Sequence, residues 1–455
     1  MPSPARPAPS TSPAPRGAAT SVPSSVVVVG AGLAGARTVA ALRELGIDGA
    51  LTLLGAEGVP PYDRPPLSKE LLTRPAPAWL SDDLGIDVGA LVDDLRLADP
   101  AVRLAPPDGG DRAFAVTTRS GDVVRADAVV LAVGAAPVRP LGWEAASVLH
   151  TAADAAALRE RVAPGLRLAI VGAGWIGAEI AGVAAGAGAD VTVVEAGSTP
   201  LERQLGPTVG AHLARWYAPA GARLVTGLPV VEVGPDGVRL ADGAHVAADV
   251  VLAAVGARPA TAWLDGVVPL DARGAVPVDA TGAVHDVPGL WALGDCATRD
   301  HPVLGPVPGG HWSAALHDPE PTARAILGLD PDGAPPHPPY VFSQQLGHDL
   351  ALFGNPSPTD EVVLRGDPTG GATGRGAWAA VYVEPGDSTT THRTDDGTRR
   401  AGRAVRRVRA VLLVDSPRDV GAVRRLFTRT PRPELVIEQA VDPTVRWRDL
   451  VPAAP

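Results

Sequence analysis

The sequence predicts an α/β protein with two Rossmann-like dinucleotide-binding domains and a separate C-terminal unit. Two Gly-x-Gly-x-x-Gly fingerprints indicate the two domains, because each follows an apolar run and precedes an alanine-rich helical pattern. A buried strand followed by an arginine-rich helix, AVLLVDSPRDVGAVRRLF at 410–427, indicates the third unit. It comes after a Gly/Pro/Thr-rich region, 366–400, that we interpret as loop.

The first fingerprint follows the β-branched run Val26–Val29, and the second follows the apolar run LRLAIV. In a glycine-rich chain of this kind the bare spacing is expected roughly 0.7 times by chance. Two matches in the same strand–helix setting favour two turns that bring backbone close to a pyrophosphate. The candidate binding residues in these turns are Gly30, Gly32, Leu33, Ala34, Gly35, Gly172, Gly174, Trp175, Ile176 and Gly177.

Acidic residues follow the second strand of each unit. Glu195 ends the strand pattern VTVVE, 23 residues after Gly172, where a carboxylate is expected to bind the adenosine ribose hydroxyls. The next three residues, Ala-Gly-Ser at 196–198, include no basic side chain for a 2′-phosphate, which favours NADH over NADPH. In the first unit Glu57 is the available acid after the strand pattern ALTLLG.

Three further strand patterns end in glycine. Gly134 follows ADAVVLAV, Gly256 follows AADVVLAAV, and Gly294-Asp295 follows VPGLWAL. An aspartate at a strand end can hold a ribityl or ribose hydroxyl, although an ordinary strand-to-helix turn is the alternative. The position of Asp295 after both fingerprints favours the binding role.

Composition excludes several classes of protein. The net charge of −10 argues against general nucleic-acid affinity, and no uncharged apolar run approaches the length of a membrane span. The Pro/Ala/Ser-rich tail at 1–24 is interpreted as disordered and not as a targeting signal, so a cytoplasmic location is expected. The single cysteine, Cys296, rules out an intramolecular disulfide and an iron–sulfur cluster held by this chain alone, and no metal site is predicted.

The segment PYDRPPLSKELL at 61–72, together with the two fingerprints and the Gly-Asp strand end, resembles the FAD-dependent, NADH-linked ferredoxin reductases. These are the putidaredoxin-reductase and biphenyl-dioxygenase-reductase type of the pyridine nucleotide–disulfide reductase superfamily. The resemblance implies an FAD-binding domain at 25–140 and 272–332 and an NADH-binding domain at 141–271. It also implies a C-terminal α+β domain of dimerisation or interface type at 333–455.

Lys69 is the only lysine of the chain, and the other 39 basic residues are arginines. In the family a lysine at this position lies beside the flavin and pairs with a glutamate of the NADH-binding domain, here Glu179. An ammonium is compact, whereas a guanidinium is a wide fork that needs several acceptors, which explains a retained lysine. A surface lysine spared by chance is the alternative.

The resemblance assigns further cofactor ligands. Arg64 is expected at an FAD phosphate or at the ring edge, with a loop anchor as the alternative. Trp175 is expected near the path of the nicotinamide, with a core position as the alternative. The remaining assignments are Arg139, His311, Trp312 and Phe342 for FAD, and Arg203 for NADH.

No cysteine is expected beside the flavin, so electrons should leave for an outside one-electron carrier. The expected partner is a [2Fe–2S] ferredoxin, or a rubredoxin, that serves a cytochrome P450 or a Rieske-type oxygenase. Eleven arginines against two aspartates between Arg399 and Arg432 indicate a basic docking face, with a solvated helix face as the alternative. An NADH oxidase or quinone reductase, or an NADH-sensing flavoprotein of the apoptosis-inducing-factor type, are the alternative functions.

Four family positions near the expected flavin differ in this chain. Val133 replaces a threonine, Pro308-Gly309-Gly310 replaces Arg-x-Glu, Phe342 replaces a tryptophan, and Gln344 replaces an aspartate. These changes leave FAD binding expected, but they alter the predicted surroundings of the flavin.

Overall fold

The computed structural model describes residues 22–107, 113–331, 337–370, 376–386, 405–429 and 432–450. Residues 1–21 of the predicted tail lie outside these ranges. Ser24, within the predicted tail, donates from its amide and its hydroxyl to Asp127 Oδ2, at 2.8 and 2.6 Å. The ordered chain therefore begins before residue 25.

Residues 25–137 form ten strands and four helices. The strands are β1 Ser25–Val29, β2 Ala50–Leu54, β3 Tyr62–Asp63, β4 Ala78–Trp79, β5 Asp94–Arg96, β6 Ala101–Ala105, β7 Phe114–Thr118, β8 Val123–Ala126, β9 Ala128–Leu131 and β10 Ala135–Pro137. The helices are α1 Leu33–Glu44, α2 Pro66–Lys69, α3 Leu80–Asp83 and α4 Val88–Leu91.

Residues 152–259 repeat the strand–helix–strand pattern of the first unit. The strands are β11 Arg167–Val171, β12 Asp190–Glu195, β13 Ala222–Thr226, β14 Val230–Gly234, β15 Gly237–Leu240, β16 His245–Ala247, β17 Val250–Ala253 and β18 Ala257–Pro259. The helices are α5 Ala152–Arg161, α6 Trp175–Gly186 and α7 Glu202–Leu213.

The rest of the described chain contains the remaining elements. Before residue 331 these are β19 Val276–Val278, β20 Leu290–Ala292, β21 Ala297–His301, β22 Gly305–Pro308, α8 Trp312–His317 and α9 Pro319–Ile326. After residue 337 they are β23 Tyr340–Gln345, β24 His348–Gly354, β25 Glu361–Arg365, β26 Trp378–Val383, β27 Val405–Val414, α10 Val420–Arg429, β28 Glu434–Val436 and α11 Ile437–Val441.

Two parallel sheets carry the glycine fingerprints. The first has the order β20-β9-β1-β2-β5, so that β20 returns to the sheet of the N-terminal segment, and the second has the order β13-β12-β11-β17. β1 and β11 are central in these sheets because their valine-rich and leucine-rich sequences can be buried on both faces. The first glycine of each fingerprint, Gly30 and Gly172, has a φ of +115° and +104°.

A third sheet is antiparallel and has the order β23-β24-β27-β26-β25, with β28 paired to β27. Helix α10 packs on it through Val423, Leu426 and Phe427. The predicted fold class of two Rossmann-like units and a C-terminal α+β unit is therefore confirmed. The domain boundaries themselves stay predictions.

The interpretation of 366–400 as a loop was wrong for one part of that region. β26, Trp378–Val383, lies within it, and every residue of this strand is buried between β25 and β27. A strand buried on both faces has no polar alternation, so a short apolar run inside glycine-rich flanks carries little strand signal. Residues 371–375 and 387–400 of the same region lie outside the described ranges.

One apolar core contains residues of both dinucleotide-binding units and of the C-terminal sheet. It contains Tyr62 and Leu67 beside α2, Ile180 of α6, and Leu346 and Leu412 of the C-terminal sheet. This core holds α2, α6 and β23 against one another. In the described part of the chain we find no helix with the length and apolar character that a membrane span requires, and the expected cellular location stays a prediction.

Candidate functional site

A single large cleft runs past the carboxyl ends of both parallel sheets, where ligands of open α/β sheets bind. Its volume is about 1630 Å³. Most of the predicted cofactor residues line it: Gly30, Gly32, Leu33, Ala34, Glu57, Arg64, Lys69, Gly134, Asp295, His311, Trp312 and Phe342 for FAD, and Gly172, Gly174, Trp175, Ile176, Glu179, Glu195, Arg203 and Gly256 for NADH. The structure thus brings residues from the whole length of the chain to one site.

Both fingerprints leave bare backbone facing open space. A Cβ added at Gly32 or Gly174 would meet nothing within 4 Å, and the same holds for Gly134 and Gly256 at the neighbouring strand ends. Gly32 and Gly134 follow strands of the first parallel sheet, and Gly174 and Gly256 follow strands of the second. The cleft therefore contains two similar glycine-lined cradles. Such cradles fit the close approach of a dinucleotide pyrophosphate to a helix N-terminus.

Three predicted ligands do not line the cleft. A Cβ on Gly35 would overlap the carbonyl oxygen of Gly30, and a Cβ on Gly177 would overlap that of Gly172. These two glycines therefore lie behind the turns, where they let α1 and α6 pack tightly against the preceding strands. Arg139 follows β10, is exposed and does not line the cleft.

Lys69 and Glu179 form the predicted ion pair. Lys69 Nζ lies 2.9 Å from Glu179 Oε1, and the two side chains are 12% and 3% exposed. Ser68 Oγ donates to Glu179 Oε2 at 2.5 Å, and Ser343 Oγ donates to Glu179 Oε1 at 2.5 Å. The carboxylate is thus satisfied by one ammonium and two hydroxyls, which is what a buried charge requires.

Residues of three segments meet at this carboxylate. Ser68 and Lys69 end the short helix α2, Glu179 lies in the first part of α6, and Ser343 belongs to β23. Helix α6 lies close to the end of β23. A Cβ on Gly182 would be 2.7 Å from the nitrogen of Leu346, the residue that follows β23. Glycine at 182, one turn after Glu179, makes this contact sterically allowed.

The alternation of β23 explains which of its side chains face the site. Ser343 and Gln345 are buried, whereas Phe342 and Gln344 are exposed, as expected for a strand with a period of two. Gln345 Nε2 donates to Ser343 Oγ at 3.0 Å and so orients the hydroxyl towards Glu179. Gln344 instead binds Asp349 on the other face, at 3.1 Å, and is not part of the cluster.

Two partly exposed aromatic residues, Phe342 and Trp312, line the cleft. Lys69 Nζ is 6.0 Å from the centroid of the Phe342 ring, and Phe342 and Trp312 are 42% and 37% exposed. Trp312 Nε1 donates to Asp63 Oδ1 at 2.8 Å, which fastens the start of α8 to β3. Burial is the main cause that raises the pKa of Asp63, and the Trp312 bond partly offsets it.

Asp295 lies at the end of β20, and burial raises the pKa of its carboxyl. Its Oδ1 accepts from the Gly310 amide at 3.0 Å. A Cβ on Gly309 would overlap the carbonyl oxygen of Gly294, so glycine at this position lets the loop Pro308-Gly309-Gly310 lie against the residues that follow β20. Cys296 is fully buried, and its sulfur lies within hydrogen-bond distance of the carbonyls of Leu131 and Leu293, so it is a packing residue.

His311 caps α8, since its Nδ1 accepts from the Ala314 amide at 3.1 Å. The neutral ring then carries its proton on Nε2, a buried atom with no hydrogen-bond partner among the described residues. Burial lowers the pKa of His311 to about 4, with the charge of Arg299 as a second cause. His311 is therefore neutral near pH 7 and lines the cleft.

Arg64 and Glu57 face each other at the other end of the cleft. Arg64 binds Glu57 Oε1 and the carbonyl of His150, and Tyr62 Oη donates to Glu57 Oε2 at 2.5 Å. Both carboxylate oxygens of Glu57 are thus already engaged. The loop-anchor alternative for Arg64 is present in the structure, and the ribose role of Glu57 stays a prediction.

Glu195 ends β12, as predicted, and lies at the second cradle. Its Oε2 accepts from the Ala173 amide at 2.7 Å, and its Oε1 accepts from the Gly197 amide at 2.8 Å. Trp175 lines the cleft and also packs against the main core, so both of its predicted roles are compatible with its position.

The predicted basic face divides into two groups. Arginines of β27 and the next segment are paired with carboxylates: Arg406 with Glu361, Arg407 with Glu434, Arg409 with Asp360 and Glu384, and Arg432 with Glu384. Arg418, just before α10, and the arginines of α10, namely Arg424, Arg425 and Arg429, are exposed and have no ion pair with a described carboxylate. Arg399, Arg400 and Arg403 lie outside the described ranges. Among the described residues, the predicted basic character is therefore retained by α10 and the residue Arg418 before it.

Several residues of the site were missed by the sequence analysis. Ser68, Ser343 and Gln345 bind around Glu179, and Asp63 and Tyr62 anchor the loop of the PYDRPPLSKELL segment. The alternation of polar and apolar residues in YVFSQQ could have indicated that Ser343 faces inwards. No sequence signal connects it with Glu179.

The fold and the cleft define a two-dinucleotide oxidoreductase. The family model described as pyridine nucleotide-disulphide oxidoreductase matches residues 24–317, and the chain belongs to this family. The family resemblance stated from the sequence is thereby confirmed.

Similar proteins extend the match over the C-terminal unit. The ferredoxin–NAD(+) reductase component of the p-cumate 2,3-dioxygenase system of Pseudomonas putida is 31% identical over 437 residues, which is 94% of this chain and 98% of that protein. The corresponding component of the anthranilate 1,2-dioxygenase system of Burkholderia cepacia is 31% identical over 439 residues, or 92% and 97% of the two chains. The crystal structure of Fdr9 has 35% identity and a TM-score of 0.78 and covers 94% of this chain and 100% of that chain.

Proposed function

We propose that this protein transfers a hydride from NADH to FAD and then single electrons to a [2Fe–2S] ferredoxin that serves a cytochrome P450 or Rieske-type oxygenase. The observation that carries the proposal is the buried Lys69–Glu179 pair, 2.9 Å apart, at the meeting point of the two glycine-lined cradles. The names of the similar proteins support the ferredoxin and the oxygenase system.

The residues of the two cradles divide the cofactors between them in this proposal. Gly32 and Gly134 offer bare backbone to FAD, Gly30 forms the turn before them, and the buried Asp295 offers a carboxyl to one of the FAD hydroxyls. For NADH, Gly174 and Gly256 offer bare backbone, Gly172 forms the turn, and Glu195 offers the carboxylate. When bound, FAD supplies the chemistry that accepts two electrons together and gives them up singly.

Lys69 holds a positive charge at one place in the cleft. Glu179 fixes the ammonium, and Ser68 and Ser343 fix Glu179, so the cation is oriented before any substrate binds. A fixed charge in a site that excludes water stabilises developing negative charge more than a mobile, hydrated one does. The Phe342 ring lies 6.0 Å from the lysine nitrogen, and Trp312 lines the same cleft.

In this proposal, electrons leave the protein without passing through a thiol. Cys296 is the only cysteine of the chain, and burial raises its pKa to about 11. Its sulfur lies 3.3 Å from the Leu131 carbonyl oxygen and 3.2 Å from that of Leu293, and it does not line the cleft. A carrier that accepts one electron at a time is therefore the acceptor that fits, with a rubredoxin as the alternative to a ferredoxin.

The test is purification without added flavin, followed by anaerobic titration of the coloured protein with NADH and with NADPH. The expected result is bound FAD that bleaches with NADH and recolours when an oxidised [2Fe–2S] ferredoxin is added. A protein that neither carries nor takes up flavin would contradict the proposal. Fast oxygen consumption without ferredoxin would instead indicate an NADH oxidase, and a persistent long-wavelength band with slow reoxidation would indicate an NADH sensor.

A further inference from the structure

We propose that Glu202 is a second acidic determinant of nucleotide specificity, which acts with Glu195 to exclude a 2′-phosphate. The inference rests on the proposed assignment of the Gly172–Glu195 unit to NADH. It concerns the short loop of residues 196–199, between β12 and α7, which lies at the ribose end of the second cradle.

The amides of this loop are the donors that a phosphate would need. The Gly197 amide donates to Glu195 Oε1 at 2.8 Å. The Ser198 amide and hydroxyl donate to Glu202 Oε2 at 2.7 and 2.9 Å, and the Thr199 amide donates to the same oxygen at 3.3 Å. Successive backbone N–H groups in a turn commonly bind anions, and here two carboxylates of the protein already occupy them.

The two carboxylates also lie close to each other. A Cβ on Gly197 would be 2.9 Å from Glu202 Oε2 and 3.2 Å from Glu195 Oε1. Both residues line the cleft. Hydrogen bonds from Ser198 are the main cause that lowers the pKa of Glu202, so its charge is present near neutral pH.

These contacts give Glu195 and Glu202 different roles in nucleotide binding. Glu195 is placed to accept from ribose hydroxyls, as expected for the end of this strand. Glu202 starts α7 and accepts hydrogen bonds from the same loop, so a 2′-phosphate there would meet a second negative charge and would find the loop amides engaged. Like charges brought together at a binding site lower affinity and so create specificity.

Arg203 follows Glu202 and also lines the cleft. The family resemblance assigns Arg203 to NADH, a role that one arginine can fill at the pyrophosphate shared by NADH and NADPH. The discrimination between the two nucleotides is then left to the loop and its two carboxylates.

The test is calorimetric binding of ADP-ribose and of 2′-phospho-ADP-ribose to the flavin-loaded protein, with kcat/KM for NADH and NADPH as a second measurement. Glu202→Gln removes the charge and keeps an acceptor for the Ser198 amide. We expect affinity for the 2′-phosphorylated ligand to rise about fivefold or more, since a like charge is lost. Affinity for ADP-ribose should change less than about twofold, and the difference between variant and wild type should shrink in high salt.

Two further variants complete the design. Glu160→Gln removes an exposed charge from α5, away from the cleft, and should change neither affinity. Glu195→Gln should weaken ADP-ribose binding because it alters the ribose acceptor. The proposal is overturned if Glu202→Gln leaves the ratio of the two affinities within about twofold of wild type while Glu195→Gln weakens ADP-ribose binding. If neither variant changes any affinity, the assignment of this unit to NADH fails, and the inference fails with it.

Discussion

Ser343 Oγ donates a hydrogen bond of 2.5 Å to Glu179 Oε1, although 164 residues separate the two side chains in the sequence. The bond connects the C-terminal sheet to the helix of the second fingerprint. Because Glu179 in turn holds Lys69, the position of the cation depends on the docking of β23 against α6. The C-terminal unit is therefore a part of the site and not only a cover over it.

Lys69→Arg should slow the reduction of bound FAD by NADH at least tenfold. The guanidinium is wider than the ammonium and needs more acceptors than the one carboxylate oxygen that Lys69 has. Stopped-flow absorbance of the flavin measures the rate directly. Arg74→Lys, in the same segment and paired with Asp83 at the surface, is the matched control and should leave the rate unchanged. An unchanged rate for Lys69→Arg would refute the assigned role of the lysine.

Ser343→Ala should destabilise the protein by about 1–3 kcal/mol and slow flavin reduction, because a buried carboxylate loses one of its donors. Chemical denaturation and stopped-flow reduction measure the two effects. Gln344→Ala, at the next position on the exposed face of β23, should have little effect on either. Equal effects of the two substitutions would show that the hydroxyl has no special part in holding Glu179.

Gly182→Ala should cost about 1–3 kcal/mol, since a methyl group there would lie 2.7 Å from the Leu346 nitrogen and push the β23–β24 turn away from α6. The same displacement should slow flavin reduction, because it lengthens the Ser343–Glu179 bond. Gly186→Ala, later in the same helix, would meet nothing within 4 Å and should be neutral or slightly stabilising. Comparable stability losses for both variants would contradict the close packing of α6 on β23.

His311 should make the protein sensitive to mild acid. The pKa of His311 is lowered to about 4 in the folded protein, whereas an unfolded histidine binds its proton near pH 6.5. The unfolded state therefore gains a proton first, so this contribution to stability is fully present above about pH 6.5 and declines as the pH falls towards 4. The loss amounts to up to about 3 kcal/mol.

The measurement is the free energy of unfolding of the flavin-loaded protein from pH 4.5 to 7.5. His311→Asn keeps a side chain that can cap α8 and removes the titrating ring, so its stability should depend less on pH. His285→Asn, an exposed histidine, serves as the control and should follow the wild type. A pH profile of His311→Asn that is parallel to the wild type would rule out this source of acid sensitivity.

Arg424→Glu combined with Arg425→Glu should raise the KM for ferredoxin about tenfold at low salt, with a smaller effect at high salt. These arginines of α10 are exposed and have no ion pair with a described carboxylate, although the Arg424 guanidinium also lies 5.3 Å from the centroid of the Tyr340 ring, so their charges are not neutralised and can attract an acidic partner. Arg407→Glu reverses a charge on β27 that Glu434 already neutralises, and it should change the KM less. Cytochrome c reduction through ferredoxin is the measurement. A larger effect of Arg407→Glu would move the docking surface from α10 to the strand.

The two glycine turns show which features of the fold can be predicted from residues that are close together in the sequence. Val26–Val29 and LRLAIV predict central strands, and the third glycine of each turn, Gly35 or Gly177, is required by the carbonyl oxygen of the first glycine, five residues earlier. The position of Glu195 at a strand end follows from the same local pattern. These features are predictable because the atoms that impose them are near in the sequence.

The strand β26 shows why the sequence alone was insufficient elsewhere. Trp378–Val383 lies in the middle of the sheet because β25 and β27 pair with it on either side, and its own residues do not encode that pairing. The paired arginines of β27 are a second case, since the acids that neutralise them are 25 to 49 residues away. Pairing across a sheet is decided by topology and not by composition.

The sequence by itself determined the two dinucleotide-binding units and the single cysteine, and its resemblance to the ferredoxin reductases identified Lys69 and Glu179 as partners. Only the tertiary structure decided what holds that pair, namely Ser68 from α2 and Ser343 from β23, and which carboxylates occupy the amides of the loop at 196–199. The physical reason is that a hydroxyl or an amide becomes part of a site through the direction of its hydrogen bond, and that direction exists only once α2, α6 and β23 are packed on one core.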